Sequence, residues 1–237
     1  MSPEIDIATE QADFKAIQSN KRRKTLIHYY AKCSQLIAGP FLWPIFHLLY
    51  RAEIKGKENL KEIKSPIIVI ANHIRFFDSF FFRFVLSGYP RLLPLRFMAV
   101  RKFLSGHLNL LNTIGIIPLV YGLFAVFLIK KGDEKEPGKN LEKAQNILDQ
   151  GDNVMIYPEG KIMDGTKIGQ FRRGTAVLAQ TNYVPVLPVS FRIIKNGSIR
   201  KHLYINIGKQ ITLPETSSVE ENTALLQKEV ERLFDIV

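Results

Sequence analysis

His73 and Asp78 lie five residues apart in Asn72-His73-Ile74-Arg75-Phe76-Phe77-Asp78, an imidazole and a carboxylate close enough in sequence to form a proton-transfer pair. Imidazole titrates near neutrality, so it can take a proton from an alcohol and later release it. A carboxylate that accepts from one ring nitrogen fixes the tautomer and leaves the other nitrogen free as the base. Within one continuous α-helix, residues five apart point about 140° away from each other. The pair can therefore meet only if His73 lies in a turn and Asp78 falls at or before the first turn of the next helix. What precedes the pair fits this requirement. Ile67-Ile68-Val69-Ile70-Ala71 is a β-branched run without polar alternation, the pattern of a strand buried on both faces. Reactive groups in α/β folds gather at the C-terminal ends of such strands. The plain alternative is a strand-end histidine that satisfies a loop carbonyl, and spacing alone does not separate the two.

Two further blocks carry charge at positions where elements end or begin. Tyr157-Pro158-Glu159-Gly160-Lys161 follows the apolar run Asn153–Ile156. It reads either as an ordinary strand-to-loop turn with Glu159 exposed, or as a carboxylate held at the same sheet edge as His73, where it positions a substrate hydroxyl or organises nearby cations. Phe171-Arg172-Arg173-Gly174 places two guanidinium groups at a helix start, where free amide N–H groups and the helix dipole favour phosphate. Its alternative is a solvated basic turn. Val184-Pro185-Val186-Leu187-Pro188-Val189 is a strand entry, structural rather than chemical. His28, His47, His107 and His202 lack carboxylate or thiolate neighbours at ligand spacing, so no metal site is expected.

The elements that must hold these groups follow from periodicity. Strands are expected at 52–57, 67–71, 95–100, 114–119, 153–157, 186–193 and 203–207. Helices are expected over 79–86, 141–150, from Gly174, and over 218–235, with a loop at 130–140. Within 103–129 the order expected is a loop, a strand and then a helix. Strands alternating with helices predict an α/β fold with a mixed, largely parallel sheet flanked by helices. The aromatic segment containing Phe80, Phe81, Phe82 and Phe84 is either plain core or the lining of an acyl groove.

The chain has 237 residues, 46% of them hydrophobic, which suffices for one α/β domain and excludes a wholly disordered chain. An excess of Lys and Arg gives a formal net charge of +11, so the partner class is acidic: nucleic acid, anionic lipid or a phosphorylated ligand. Residues 33–50 carry no formal charge over 18 positions, and 103–129 carry none over 27. Pro40 and Pro44 interrupt the first stretch, which suits either a shallow, monotopic insertion or a single span. Lys21, Arg22, Arg23, Lys24 and Arg51 flank it, as anionic headgroups would require. These features favour lipid over nucleic acid. They divide the chain into a basic, apolar membrane-associating helical region at 1–51 and a catalytic-looking domain at 52–237. No cleavable leader is apparent in the acidic, polar start. The single cysteine, Cys33, excludes an internal disulfide, so the cytoplasmic face of a membrane is expected.

In order and spacing, NHIRFFD, YPEGK, FRRG and VPVLPV resemble the blocks of the glycerolipid acyltransferase family typified by bacterial 1-acylglycerol-3-phosphate acyltransferase, over about residues 66–191. The resemblance implies that fold. It also implies transfer of a fatty acyl group from acyl-CoA or acyl-carrier protein, a co-substrate rather than a cofactor, to a lysophospholipid hydroxyl at a membrane. His73 would be the general base and Asp78 its orienter. Glu159, Gly160, Lys161, Arg172 and Arg173 would form the acceptor site. Two departures stand out. The family's Glu-Gly-Thr-Arg is here Glu159-Gly160-Lys161-Ile162, and its Gly-to-Arg block is here Gly115-Ile116-Ile117-Pro118-Leu119-Val120-Tyr121-Gly122, without arginine. An acceptor with another headgroup, or a lipid-binding protein that has lost the chemistry, are the competing expectations.

Overall fold

The computed structural model describes residues 26–40, 43–44, 46–75, 78–100, 126–129, 137–194 and 200–236. Its strands are β1 (Tyr50–Lys55), β2 (Ile68–Ala71), β3 (Leu95–Val100), β4 (Val126–Ile129), β5 (Asn153–Ile156), β6 (Val186–Ile194) and β7 (Lys201–Ile207). They form one sheet in the order β1-β7-β6-β2-β5-β3-β4. Neighbours run parallel except β6 and β7, which are antiparallel. The mixed, largely parallel sheet expected from the sequence is thus what the chain adopts.

β2 is fully buried and lies centrally, with Ile70 level with Ile156 of β5 and Pro188 of β6. Its side chains alternate between two cores. Val69 and Ala71 join Phe81, Phe82 and Phe191 on one face. Ile68 and Ile70 join Ala144, Leu178, Leu226 and Val230 on the other. The first face is covered by helix α2 (Asp78–Val85) and the second by α3 (Pro137–Leu148), α4 (Gly174–Asn182) and α5 (Val219–Phe234). A strand clad on both sides has no polar face, which explains the unbroken apolar run.

Side-chain amides extend the ladder where strands stop. Asn72, just past β2, donates to the Phe191 carbonyl at 2.8 Å and accepts the Phe191 N–H at 2.7 Å. Asn153 accepts the Ile67 N–H at 2.9 Å and donates to the Leu92 carbonyl at 2.7 Å. These bonds satisfy buried backbone groups at both ends of β2 and fix where His73 leaves the sheet.

Helix α1 occupies residues 26–40 and has an inverted pattern. Ala31, Ser34, Gln35 and Ala38 face the domain, whereas Leu26, Tyr29, Tyr30, Leu36 and Ile37 are exposed. Its attachment is polar. The Gln35 amide donates to the Leu95 carbonyl at 2.6 Å and accepts the Leu95 N–H at 3.0 Å. Arg83 donates to the Gln35 carbonyl, and His28 pairs with buried Asp152. No helix among the described residues is long and apolar enough to cross a membrane.

Three expectations need correction. The end of 103–129, expected as helix, is strand β4. Helix α3 begins at Pro137, four residues before Leu141, because proline at a first helical position loses no hydrogen bond and already holds a helical φ. The strand expected at 52–57 runs over Tyr50–Lys55 instead, because Gly56 turns left-handed and Lys57 opens a short 3-10 turn. The strand expected at 114–119 lies outside the described residues.

Candidate active site

Parallel pairing of β2 with β5 brings the exits of both strands to one edge. His73 lies in the turn after β2, and Asp78 is the first residue of α2, where a carboxylate is favoured by the helix dipole. Asp78 is wholly buried, and its Oδ2 accepts three bonds: His73 Nδ1–H at 3.1 Å, the Ile74 N–H at 2.6 Å and the Arg75 N–H at 2.7 Å. An ionised carboxylate only accepts, so Nδ1 carries the proton and Nε2 is left as the acceptor. Oδ1 of Asp78 is buried without a hydrogen-bond partner among the described residues. Burial pushes the Asp78 carboxyl above its ordinary value, against the opposing pull of His73 and the two backbone amides. The His73 side chain remains 20% exposed, so the imidazole reaches the surface while the Asp78 carboxylate does not.

Glu159 lies at the same sheet edge as His73, as the second sequence reading expected, but it is buried rather than exposed. It is 3% exposed, and both its oxygens accept from backbone. Oε2 takes the His73 N–H at 2.6 Å, and Oε1 takes the Gly169 N–H at 2.7 Å. The Met163 N–H in turn donates to the His73 carbonyl at 2.7 Å. The peptide groups on both sides of the His73 Cα are thus held by the loop that follows β5. Burial raises the Glu159 carboxyl from its usual value, and the Gly169 and His73 amides partly offset that rise.

Gly160 has φ 66°, and a Cβ there would lie 2.7 Å from the Arg172 guanidinium carbon. Only glycine permits the loop and the arginine to approach so closely. The Arg172 N–H donates to the Pro158 carbonyl at 2.9 Å, closing this turn. Arg173 Nη1 donates to Glu220 Oε1 at 2.8 Å on the exposed surface. Lys161, Arg172 and Arg173 line an open groove of about 750 Å³ beside Glu159, and its far wall is formed by Glu220, Thr223 and Gln227 of α5. Such a groove suits an anionic group, for which Arg supplies paired donors.

Several contributors were not evident from sequence. Tyr157 stacks on His73 with ring centroids 4.1 Å apart and planes 14° from parallel, and its hydroxyl pairs with Ser79 Oγ at 2.9 Å. The α5 wall also went unforeseen, because an amphipathic C-terminal helix gives no sign of which loop it faces. Phe81 and Phe82 are buried core. The apolar block Gly115 to Gly122 lies outside the described residues.

The chain is 24% identical over 186 residues, 76% of its length and 47% of theirs, to the chloroplastic 1-acyl-sn-glycerol-3-phosphate acyltransferase BAT2 of Brassica napus. It is 29% identical over 140 residues, 59% of its length and 49% of theirs, to the 1-acyl-sn-glycerol-3-phosphate acyltransferase of Pseudomonas aeruginosa. The chain therefore spans about half the length of these curated relatives. The fold is similar to the crystal structure of the 1-acyl-sn-glycerophosphate (LPA) acyltransferase PlsC from Thermotoga maritima, with TM-score 0.55 and 18% identity over 95% of this chain and 89% of that one. An acyltransferase family model matches residues 51–192, from β1 through β6 with the His73–Asp78 pair inside it, and the chain belongs to that family.

Proposed function

We propose that this protein transfers a fatty acyl group from a thioester carrier, acyl-CoA or acyl-carrier protein, to the free hydroxyl of a lysophospholipid of the 1-acylglycerol-3-phosphate type. The observation that carries the reading is the Nδ1–H bond from surface-reaching His73 to buried Asp78, beside a groove lined by three cations.

In this mechanism His73 Nε2 removes the acceptor hydroxyl proton as the oxygen attacks the thioester carbonyl. Positioned base assistance of this kind contributes about 10²–10⁴-fold. Asp78 holds the ring and stabilises the imidazolium. Collapse of the tetrahedral intermediate breaks the carbon–sulfur bond, and the imidazolium returns its proton to the departing thiolate. The exposed Cys33 lies on α1, which docks at the N-terminal start of β3, away from the strand exits that carry His73. Cys33 is therefore not placed to form an acyl-enzyme with His73, and the reading is direct transfer.

Lys161 and Arg172 bind the acceptor phosphate, with Gly160 admitting the arginine, and Arg173 joins them when it leaves Glu220. Glu159 serves the acceptor by holding the loop that presents both His73 and the cations. The exposed apolar face of α1 meets the membrane where acceptor and product reside.

The test is mass spectrometry of the lipids formed from each thioester donor and a panel of lysolipids. The expected product is the diacyl phosphate, absent with a folded His73→Ala variant. Transfer retained by that variant at more than a few per cent refutes the base assignment.

A further inference from the structure

We infer that Tyr157 is a positioning residue for His73, an aromatic plate that holds the imidazole face so that Nε2 stays presented to the acceptor hydroxyl. The inference rests on the reading of His73 as the base, and it concerns a side chain outside the expected catalytic and acceptor sets.

The argument begins with what Asp78 leaves undone. A single bond from Nδ1 fixes one edge of the ring but not its tilt about that bond. Tyr157 closes that freedom, since its ring lies 4.1 Å from the imidazole and 14° from parallel to it. The plate is itself fastened. Its hydroxyl pairs with Ser79 Oγ at 2.9 Å, and Ser79 follows Asp78 in α2. The acid and the plate's anchor are thus successive residues of one helix, while the plate and Glu159 sit two residues apart in the loop after β5. Edge, face and backbone of His73 are each held from rigid elements, as a reactive side chain requires.

The stack also acts in the transition state. When His73 takes the proton it becomes a cation against the negative face of an aromatic ring, a contact that exists only as charge develops. Among the described residues, the charged or titratable groups that meet His73 are Asp78 at Nδ1, Tyr157 at the face and Glu159 at the backbone N–H. Burial and the neighbouring Asp78 charge push the Tyr157 phenol well above its usual value, so the plate stays neutral.

The test combines acyl-transfer kinetics with nitrogen-15 NMR of the protein's five histidines, His73 being assigned by difference with His73→Ala. Tyr157→Phe retains the plate and is expected to keep kcat within about threefold, with an unchanged Nδ1–H signal. Tyr157→Leu is expected to lower kcat by about tenfold or more, the equivalent of a lost cation–π contact, with acceptor KM unchanged and averaged tautomer signals at His73. Tyr157→Met, which fills the space without a ring, carries the same expectation should the leucine variant not fold. Wild-type kcat and an intact Nδ1–H signal in the ringless variants overturn the inference. So does an equal loss in Tyr157→Phe, which would assign the effect to the hydroxyl. The NMR readout needs no turnover. A wild-type protein without acyl transfer whose His73 tautomer still depends on the Tyr157 ring supports the positioning role and overturns the transfer reading alone.

Discussion

Glu159 meets His73 through the backbone: its Oε2 accepts the His73 N–H at 2.6 Å while its Oε1 accepts the Gly169 N–H at 2.7 Å. One carboxylate therefore joins the turn after β2 to the far end of the cationic loop. A buried acid with both oxygens engaged by the chain itself holds geometry.

That assignment separates two kinetic outcomes. Glu159→Gln keeps one accepting oxygen and replaces the other with a donor that faces a backbone N–H. Loss of such a charge-assisted bond is worth about 1.5–3 kcal/mol. The expected result is a fall in kcat of roughly tenfold or more with a smaller rise in acceptor KM, because the same loop carries the cations, measured by steady-state kinetics across acceptor concentration. A rise in KM at constant kcat would instead place Glu159 on the acceptor.

Asp78 should show function held at a cost in stability. Its carboxyl is raised chiefly by burial, and Oδ1 has no partner among the described residues. A carboxyl whose folded value lies above its unfolded value contributes stability that is full below the unfolded value. That contribution is lost as pH rises through the folded value. Once ionised, Asp78 is therefore a destabilising group. Asp78→Asn is expected to lower kcat by about 10²–10⁴-fold, since the amide no longer fixes the imidazole tautomer. Its midpoint in chemical denaturation, relative to wild type, should be higher at pH 8 than at pH 4. An equal difference at both values would sink the argument.

How much of this was readable in advance depends on the range of the interaction. The buried run Ile67–Ala71 and the His73–Asp78 spacing are local signals, and together they locate the turn and its dyad. Glu159 was legible as a carboxylate at a strand exit, but its partner His73 lies 86 residues away in sequence. Tyr157 resembles any strand-end aromatic until the register of β2 and β5 sets it against His73. Helix α1 misleads for another reason. Its inner face is small and polar and its outer face apolar, so the usual rule for which face packs inward is reversed.

Gly160 offers a test of the cationic groove. Gly160→Ala imposes a left-handed conformation on a residue with a Cβ, at about 1–2 kcal/mol, and displaces the Arg172 guanidinium that lies 2.7 Å from the new atom. The expected outcome is a modest drop in thermal midpoint with a roughly tenfold rise in acceptor KM. Arg172→Ala should reproduce the KM effect without the loss of stability. Arg173→Ala should do less, because Arg173 is paired with Glu220. If all three leave acceptor KM unchanged, the phosphate binds elsewhere.

The last prediction concerns the exposed face ahead of β1. Ile37 is 61% exposed, Trp43 53% and Leu48 72%, an arrangement that costs free energy in water and is relieved in lipid. Fully burying each such side chain contributes about 1.5–3 kcal/mol. Ile37→Glu with Leu48→Glu should therefore lower partitioning into anionic vesicles by two orders of magnitude or more, measured by flotation. Both side chains are exposed, and the bonds of Gln35 and His28 that fasten α1 are left in place, so the fold should persist. Activity toward a short-chain, water-soluble acceptor should also persist, because His73, Asp78 and the cationic groove are untouched. Activity toward long-chain acceptor in vesicles should fall with binding. Equal loss on both acceptors would mean that this face supports the site directly, and unchanged flotation would place the membrane contact on another segment.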